Sequence, residues 1–234
     1  ALRGKPMTLF RDEEFRLYFL LTAVATVTVA SQLVGGEIAT SAGTRLHNVD
    51  LFTSLRYAAF QVVSIMTTTG FVTADFNLWP AYCALLLLVL MFVGGCGGST
   101  GGGMKVVRLI LLIKYCTAQV ERCVFRRSVS NVRLNGQRVD SATLHKTLGF
   151  FFLFVGLFTL SSLSLCLLGV DDIVTASSAT IAALGNIGPG LGKVGAVCTY
   201  AWMTPAAKGV LTFMMLLGRL ELYTVLVLFL RSTY

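Results

Sequence analysis

Two short apolar segments, each ending on a glycine and each lying beside stretches long enough to cross a bilayer, most constrain what this chain can become. Residues 53–66 run into Thr67-Thr68-Thr69-Gly70-Phe71; a second segment, ending Ile181-Ala182-Ala183-Leu184, runs into Gly185-Asn186-Ile187-Gly188-Pro189-Gly190. The 14 residues of the first reach about 21 Å at about 1.5 Å each, short of a hydrocarbon core of about 30 Å. Their neighbours 15–34, 144–168 and 205–230 are apolar over the length a spanning helix needs. Core helices of a soluble domain explain half-length segments, but not flanks that themselves require a membrane. A segment that enters and leaves on one side must turn at membrane depth. Non-helical backbone is tolerated there only where it lines a water-filled or protein-lined cavity.

Composition agrees, because 55% hydrophobic and 13% charged residues lie outside the range of soluble domains. The net charge of +8 raises nucleic acid as a partner, but nine of the nineteen Lys and Arg residues fall within 105–146, against only Glu121 and Asp140. That block flanks membrane segments and lacks the basic and aromatic interleaving that single-strand binders use, so the positive-inside tendency explains it and places it in the cytoplasm, with no nucleic acid involved. Its arginines (Arg122, Arg126, Arg127, Arg133, Arg138) suit either a solvated linker held by anionic membrane lipid or a docking surface for a regulator. The six cysteines show neither a CxxC pair nor metal-ligand spacing and read as small hydrophobes. A chain that opens on Ala1-Leu2-Arg3, without Met or a cleavable signal, is expected to be the later part of a longer protein.

One series of events occurs twice: a spanning helix, a polar loop, a short segment ending on glycine, and a further apolar segment. Setting Gly70 on Gly188 gives an offset of 118 residues, at which Ala58 meets Ala176 and Met66 meets Leu184. The repeat is architectural, since identity is low. A turn at membrane depth leaves carbonyls without helical partners, and these can point at an axis and replace a cation's water shell. The C-terminal end of the short helix adds partial negative charge in the same direction. Glycine permits the positive φ that aligns successive carbonyls, and Thr67, Thr68 and Thr69 add uncharged hydroxyls. Such a site suits a monovalent cation better than a divalent one, which recruits carboxylates.

A second glycine element follows. Residues 81–93 are again too short to span, and the apolar pattern resumes at 106–113. Between them lie Gly94, Gly95, Gly97, Gly98, Gly101, Gly102 and Gly103, with Ser99 and Thr100 among them. Each glycine costs a helix up to about 1 kcal/mol relative to Ala, so the sequence predicts a broken helix with an intramembrane loop. Phosphate binding fails on spacing: Met104 stands where a Walker lysine must be. Arg219 lies well inside the last apolar run, where a charge costs at least about 2.5 kcal/mol, unless it snorkels to the surface. At the repeat offset it meets Gly101, so loop carbonyls are expected to accept its donors. Glu221 is expected nearer the cytoplasmic boundary.

Four stretches taken in order, Thr67 to Phe71, the run Phe92 to Lys105, Gly185 to Gly190, and Leu217-Gly218-Arg219-Leu220-Glu221, resemble the later half of a Trk/Ktr-type potassium uptake membrane subunit. The resemblance implies an all-α membrane protein carrying the third and fourth of four helix–pore-loop–helix repeats. They are expected at 15–120 and 144–234, with a cytoplasmic segment at 1–14 and a basic linker at 121–143. It places Gly70 and Gly188 at a potassium filter, with carbonyls of Thr68, Thr69, Asn186 and Ile187 as ligands and Thr67 and Gly185 beside them. It makes the 94–103 loop an obstruction below the filter, held by Arg219. It further implies an N-terminal half bearing repeats one and two, a homodimer, a cytosolic nucleotide-binding regulatory ring, and a multi-pass place in a bacterial inner membrane. Potassium would be the transported ion, with no organic cofactor. Pro189 departs from the aromatic at Phe71, so the ring is not four-fold in chemistry. The expected function is gated, channel-like potassium uptake. The alternatives are a sodium-coupled carrier with a midplane site, or a sodium- and potassium-permeable member of the superfamily. A membrane enzyme finds no nucleophile–base set in the spans, since His47 and His145 lie near segment ends.

Overall fold

In a computed structural model, which describes residues 10–125, 132–220 and 222–224, the fold is built from helices that differ sharply in length. Helix α1 (Glu13–Leu33) begins where Asp12 accepts a hydrogen bond from the Glu14 amide, and Glu13 and Glu14 favour its N-terminal dipole. One stripe of it, including Ala25, Val29, Ala30 and Leu33, is buried, while Phe19, Leu20, Val24 and Val27 on other faces stay exposed. A helix apolar on all sides of which only one stripe is covered has the surface of a lipid-facing span. A two-stranded hairpin, β1 (Ile38–Ala39) with β2 (Arg45–Leu46), follows. Helix α2 (Leu51–Met66) is then capped by the Asp50 carboxylate, which accepts from the Phe52 and Thr53 amides.

The broken element forms as its glycines require. Helix α3 (Ala81–Met91) stops, and α4 (Val106–Val124) resumes after the loop. Past α4, the stretch read as a basic linker holds a second hairpin, β3 (Arg133–Leu134) with β4 (Gln137–Arg138). Its turn is Asn135-Gly136, with φ of 50° and 79°, the left-handed pair that matches strand twist. Asn135 accepts from the Glu13 amide at 2.9 Å and donates to Asp12 at 3.1 Å. Lys114 joins the Glu13 carboxylate to the Arg133 carbonyl. The hairpin is thereby fastened to the start of α1. Arg126 and Arg127 lie outside the described residues.

Helix α5 (Ser141–Leu167), 27 residues, is the second helix among the described residues that is long and apolar enough to span. Helix α6 (Ile173–Leu184) packs between α5 and α7 (Pro205–Arg219), and its small Ala, Ser and Thr residues allow that approach. One expectation needs correction here. The last helix does not run unbroken from 205 to 230: α7 ends at Arg219, Leu220 turns out at φ −89°, ψ 10°, and helix is described again only at 222–224. The break falls among Gly218, Arg219 and Glu221, within a stretch that is otherwise apolar. Arg219 is therefore the last residue of a helix, at the negative end of its dipole, rather than a residue inside one. Glu221 lies outside the described residues. The two short helices differ in length: α2 has 16 residues and α6 has 12, a difference of about one helical turn.

Asp172 caps α6 through the amides of Val174 and Thr175 and the Thr175 hydroxyl. That hydroxyl, against some desolvation and with help from the two amides and Lys193, holds its carboxyl below the usual 3.8. Replacing Asp172 by Ala should cost about 1 kcal/mol near neutral pH. A depressed carboxyl contributes stability that is present above its unfolded value and lost as pH falls through its folded value. The difference between parent and variant, read by thermal melts in detergent, should therefore close on acidification below 3.8.

Candidate filter and glycine loop

Helices α2 and α6 end in the same way at the backbone. Thr67 and Gly185 close them in right-handed geometry, and Thr68 and Asn186 follow at φ 54° each. Amides of Thr67, Thr68 and Thr69 donate to Val63, Ile65 and Ser64; those of Gly185, Asn186 and Ile187 donate to Ile181, Ala183 and Ala182. All three bonds match at the offset of 118 residues. Gly70 and Gly188 then take φ of 77° and 107°. A positive φ at the β-branched Thr68 is a strained state, of the kind that persists only where surroundings over-determine it.

The two turns touch. A Cβ on Gly70 would stand 2.0 Å from the Ile187 carbonyl oxygen, so only glycine lets the backbones approach there. The Thr67 hydroxyl donates back to Val63 at 2.7 Å and shares a bond of 2.7 Å with Thr69. On the other turn, the Asn186 side chain donates to the Met215 carbonyl of α7 at 3.1 Å. The Gly188 carbonyl accepts from the Tyr200 hydroxyl at 2.8 Å. No group of three His, Cys, Asp or Glu residues suited to a metal occurs among the described residues. Backbone carbonyls are thus the acceptors these turns present.

The glycine loop leaves α3 and returns to α4 through a narrow neck. Val93 bridges Met104, the Gly94 amide donates to Met104 at 2.6 Å, and the Val106 amide donates to Gly95 at 3.2 Å. Its apex reaches both turns: a Cβ on Gly101 would stand 2.8 Å from the Thr68 hydroxyl, and one on Gly102 2.4 Å from the Gly185 carbonyl oxygen. Arg219 donates to the Thr100 carbonyl, one residue from the position the repeat offset indicates. Gly95 packs against Ser99, and Gly98 and Gly103 take positive φ where the loop bends. A cavity of about 220 Å³, lined by Ser99, Thr100, Lys105, Arg108, Gly218 and Arg219 among others, lies beside the apex.

Two residues at this loop escaped the sequence reading. Lys105 is 9% exposed, and its ammonium donates to the carbonyls of Ser99 at 2.6 Å and Gly101 at 2.7 Å and to the Ser99 hydroxyl at 3.0 Å. The reasoning that singled out Arg219, a cation within an apolar segment, applies equally to Lys105. Glu14 accepts from the Gly97 amide at 2.5 Å and the Val107 amide at 3.1 Å. It thereby caps α4 from another helix, and no local signal marks it.

Comparison with known proteins places these features in context. The family model of TrkH, described as a cation transport protein, matches residues 3–233. The Trk system potassium uptake protein TrkH of Salmonella typhimurium is 38% identical over 231 residues, covering 97% of this chain and 45% of that protein. TrkH of Halomonas elongata is 41% identical over 221 residues, covering 94% and 43%. The crystal structure of the potassium transporter TrkH from Vibrio parahaemolyticus matches with a TM-score of 0.84 at 34% identity, covering 97% of this chain and 46% of that one. The chain thus spans somewhat under half the length of these relatives.

Because Lys105 supplies charged donors to three loop acceptors, Lys105→Met should weaken the loop's own fold by about 1.5–3 kcal/mol for each charged bond lost. The expected readout is faster hydrogen exchange at residues 94–103, with α1 and α5 unchanged. Equal exchange in both proteins would show that the loop does not depend on the ammonium.

Proposed function

Since the chain belongs to the TrkH cation transport family, we propose that it supplies two of the four loops of a potassium-conducting pore, its 185–190 and 67–71 turns forming part of the filter. The observation that carries this reading is the matched ending of α2 and α6, where two re-entrant helices present successive carbonyls at one contact between Gly70 and Ile187. Carbonyls of Thr68, Thr69, Asn186 and Ile187 would replace water around potassium, with Thr67 and Gly185 at the inner end. Each short helix ends at its own turn, where the negative end of its dipole favours a cation.

Control belongs to the glycine loop in this reading. Its apex lies against the first residues of both filter turns, and Lys105 and Arg219 bring two positive charges to its carbonyls. A cation passing from the filter meets backbone in its path and like charge beside it. Opening requires the loop to move, so permeation is passive and gated. The remaining two loops come from an N-terminal half, which the shorter span of this chain relative to its relatives accommodates. The open apolar groove of Phe60, Val63, Thr67, Thr69 and Phe71 beside the filter suits that half. A homodimer in a bacterial inner membrane, with a nucleotide-binding ring on the basic face carrying Arg133 and Arg138, completes the proposal.

Two measurements on the complete transporter test it. Gly70→Ser should lower the potassium-to-sodium permeability ratio about tenfold or more, because the new Cβ displaces the Ile187 carbonyl; an unchanged ratio removes these turns from the filter. Arg219→Ala should raise potassium flux severalfold by releasing the Thr100 carbonyl. Unchanged flux in that variant and in one with a shortened 94–103 loop would refute the gate.

A further inference from the structure

The two filter turns begin alike and are supported differently after their glycines. On the first, the Ser64 hydroxyl of α2 donates to the Phe71 carbonyl at 2.7 Å and fixes the outgoing chain. At the repeat offset Ser64 becomes Ala182 and Phe71 becomes Pro189. The second turn therefore has neither that hydroxyl nor that aromatic ring, and Pro189 has no amide to donate.

A residue from elsewhere holds this turn. Tyr200, in the return segment before α7, donates its hydroxyl to the Gly188 carbonyl at 2.8 Å. The return segment is itself well fixed. Asn77 accepts from the Gly192 amide at 2.9 Å and donates to the Gly192 carbonyl at 3.0 Å, tying it to the first repeat. The Gly190 amide donates to Val194 at 2.8 Å, the Met203 amide to Tyr200 at 3.2 Å, and Lys208 to the Ala201 carbonyl at 2.9 Å. The Tyr200 ring packs against the buried core. Gly188 is exposed, at φ +107° with open space where a Cβ would stand, and its carbonyl accepts the Tyr200 hydroxyl. Burial pushes the Tyr200 phenol up to about 12, so it remains a protonated donor throughout the working range of a cell.

We propose that Tyr200 is a positioning residue for cation discrimination: its hydroxyl sets the direction of the Gly188 carbonyl, doing for the second filter turn what Ser64 does for the first. The inference rests on the permeation reading above. It makes the two turns chemically distinct just after their glycines: Ser64 of α2 holds the Phe71 carbonyl, whereas α6 reaches the outgoing chain further on, where Ser178 bonds Leu191, and the Gly188 carbonyl is held by Tyr200 of the return segment.

The test compares the complete transporter with its Tyr200→Phe and Tyr200→Leu variants, using reversal potentials under potassium and sodium gradients together with saturating potassium flux. Tyr200→Phe keeps the ring and removes only the hydroxyl. It should lower the potassium-to-sodium ratio about threefold to tenfold, the size of one lost hydrogen bond, while maximal flux stays within about twofold. Tyr200→Leu should lower the ratio at least as far. A merely structural role would reduce flux and yield without moving the reversal potential. An intact transporter that carries potassium no better than sodium refutes the permeation reading itself. A selective intact transporter whose variants keep the same ratio overturns only the role of Tyr200.

Discussion

Backbone carbonyls and amides that end at membrane depth must find partners within the protein or line a water-filled cavity, and that requirement organises both repeats. Helices α2 and α6 stop after 16 and 12 residues. Each satisfies its last turn with the same three amide bonds and a left-handed residue, which reverses the chain and leaves the next carbonyls outside any helix. The strain of a left-handed Thr68 is offset by these bonds, which pair backbone groups that would otherwise lack partners. A continuous helix would satisfy its backbone and present nothing to an ion. The turn is therefore the part of each repeat on which a site depends, and the flanking spans α1 and α5 exist to hold it at that depth.

Close approach of backbones is the second constraint, and it explains where glycine is indispensable. At Gly70 and again at Gly218, a Cβ would stand 2.0 Å from a carbonyl oxygen of the α6 unit, on Ile187 and Leu184 respectively. These contacts bring the first turn and the last helix against the end of α6, which is buried nearly throughout. The short helix rich in Ala, Ser and Thr thus acts as the post around which the other elements are arranged. Its capping carboxylate Asp172 and its buried Ser178, which bonds Leu191 in both directions, fix its outer end.

Much of this was legible in the sequence because length and glycine placement act locally. Half-length apolar segments, the offset of 118 residues and the broken helix all follow from rise per residue and from what glycine does to a helix. Features set by tertiary partners were not legible. The extra turn in α2 is hidden because both helices start on an Asp cap and differ only in how much lies between cap and glycine. The break after Arg219 sits in an apolar stretch interrupted there by Gly218, Arg219 and Glu221, which by themselves do not say that the helix stops. The hairpin at Asn135-Gly136 did carry a local signal, masked by the surrounding basic charge. Glu14 and Tyr200 act on backbone groups of other segments, so nothing in their immediate neighbours announces them, whereas Lys105 bonds its own loop and carried the same signal as Arg219.

The glycine loop brings these strands of argument together. With seven glycines between 94 and 103, it has few side chains with which to anchor itself, so neighbouring groups take on that task. Lys105 is close in sequence to its acceptors Ser99 and Gly101 and folds the loop upon itself. Glu14 and Arg219 come from the first and last helices, 83 and 119 residues away, and hold it from two sides. The loop is thus folded by its own lysine and located by distant helices. The hairpin fastened to Asp12 and Glu13 adjoins Glu14 directly, so one short stretch at the start of α1 joins the hairpin on one side and the glycine loop on the other.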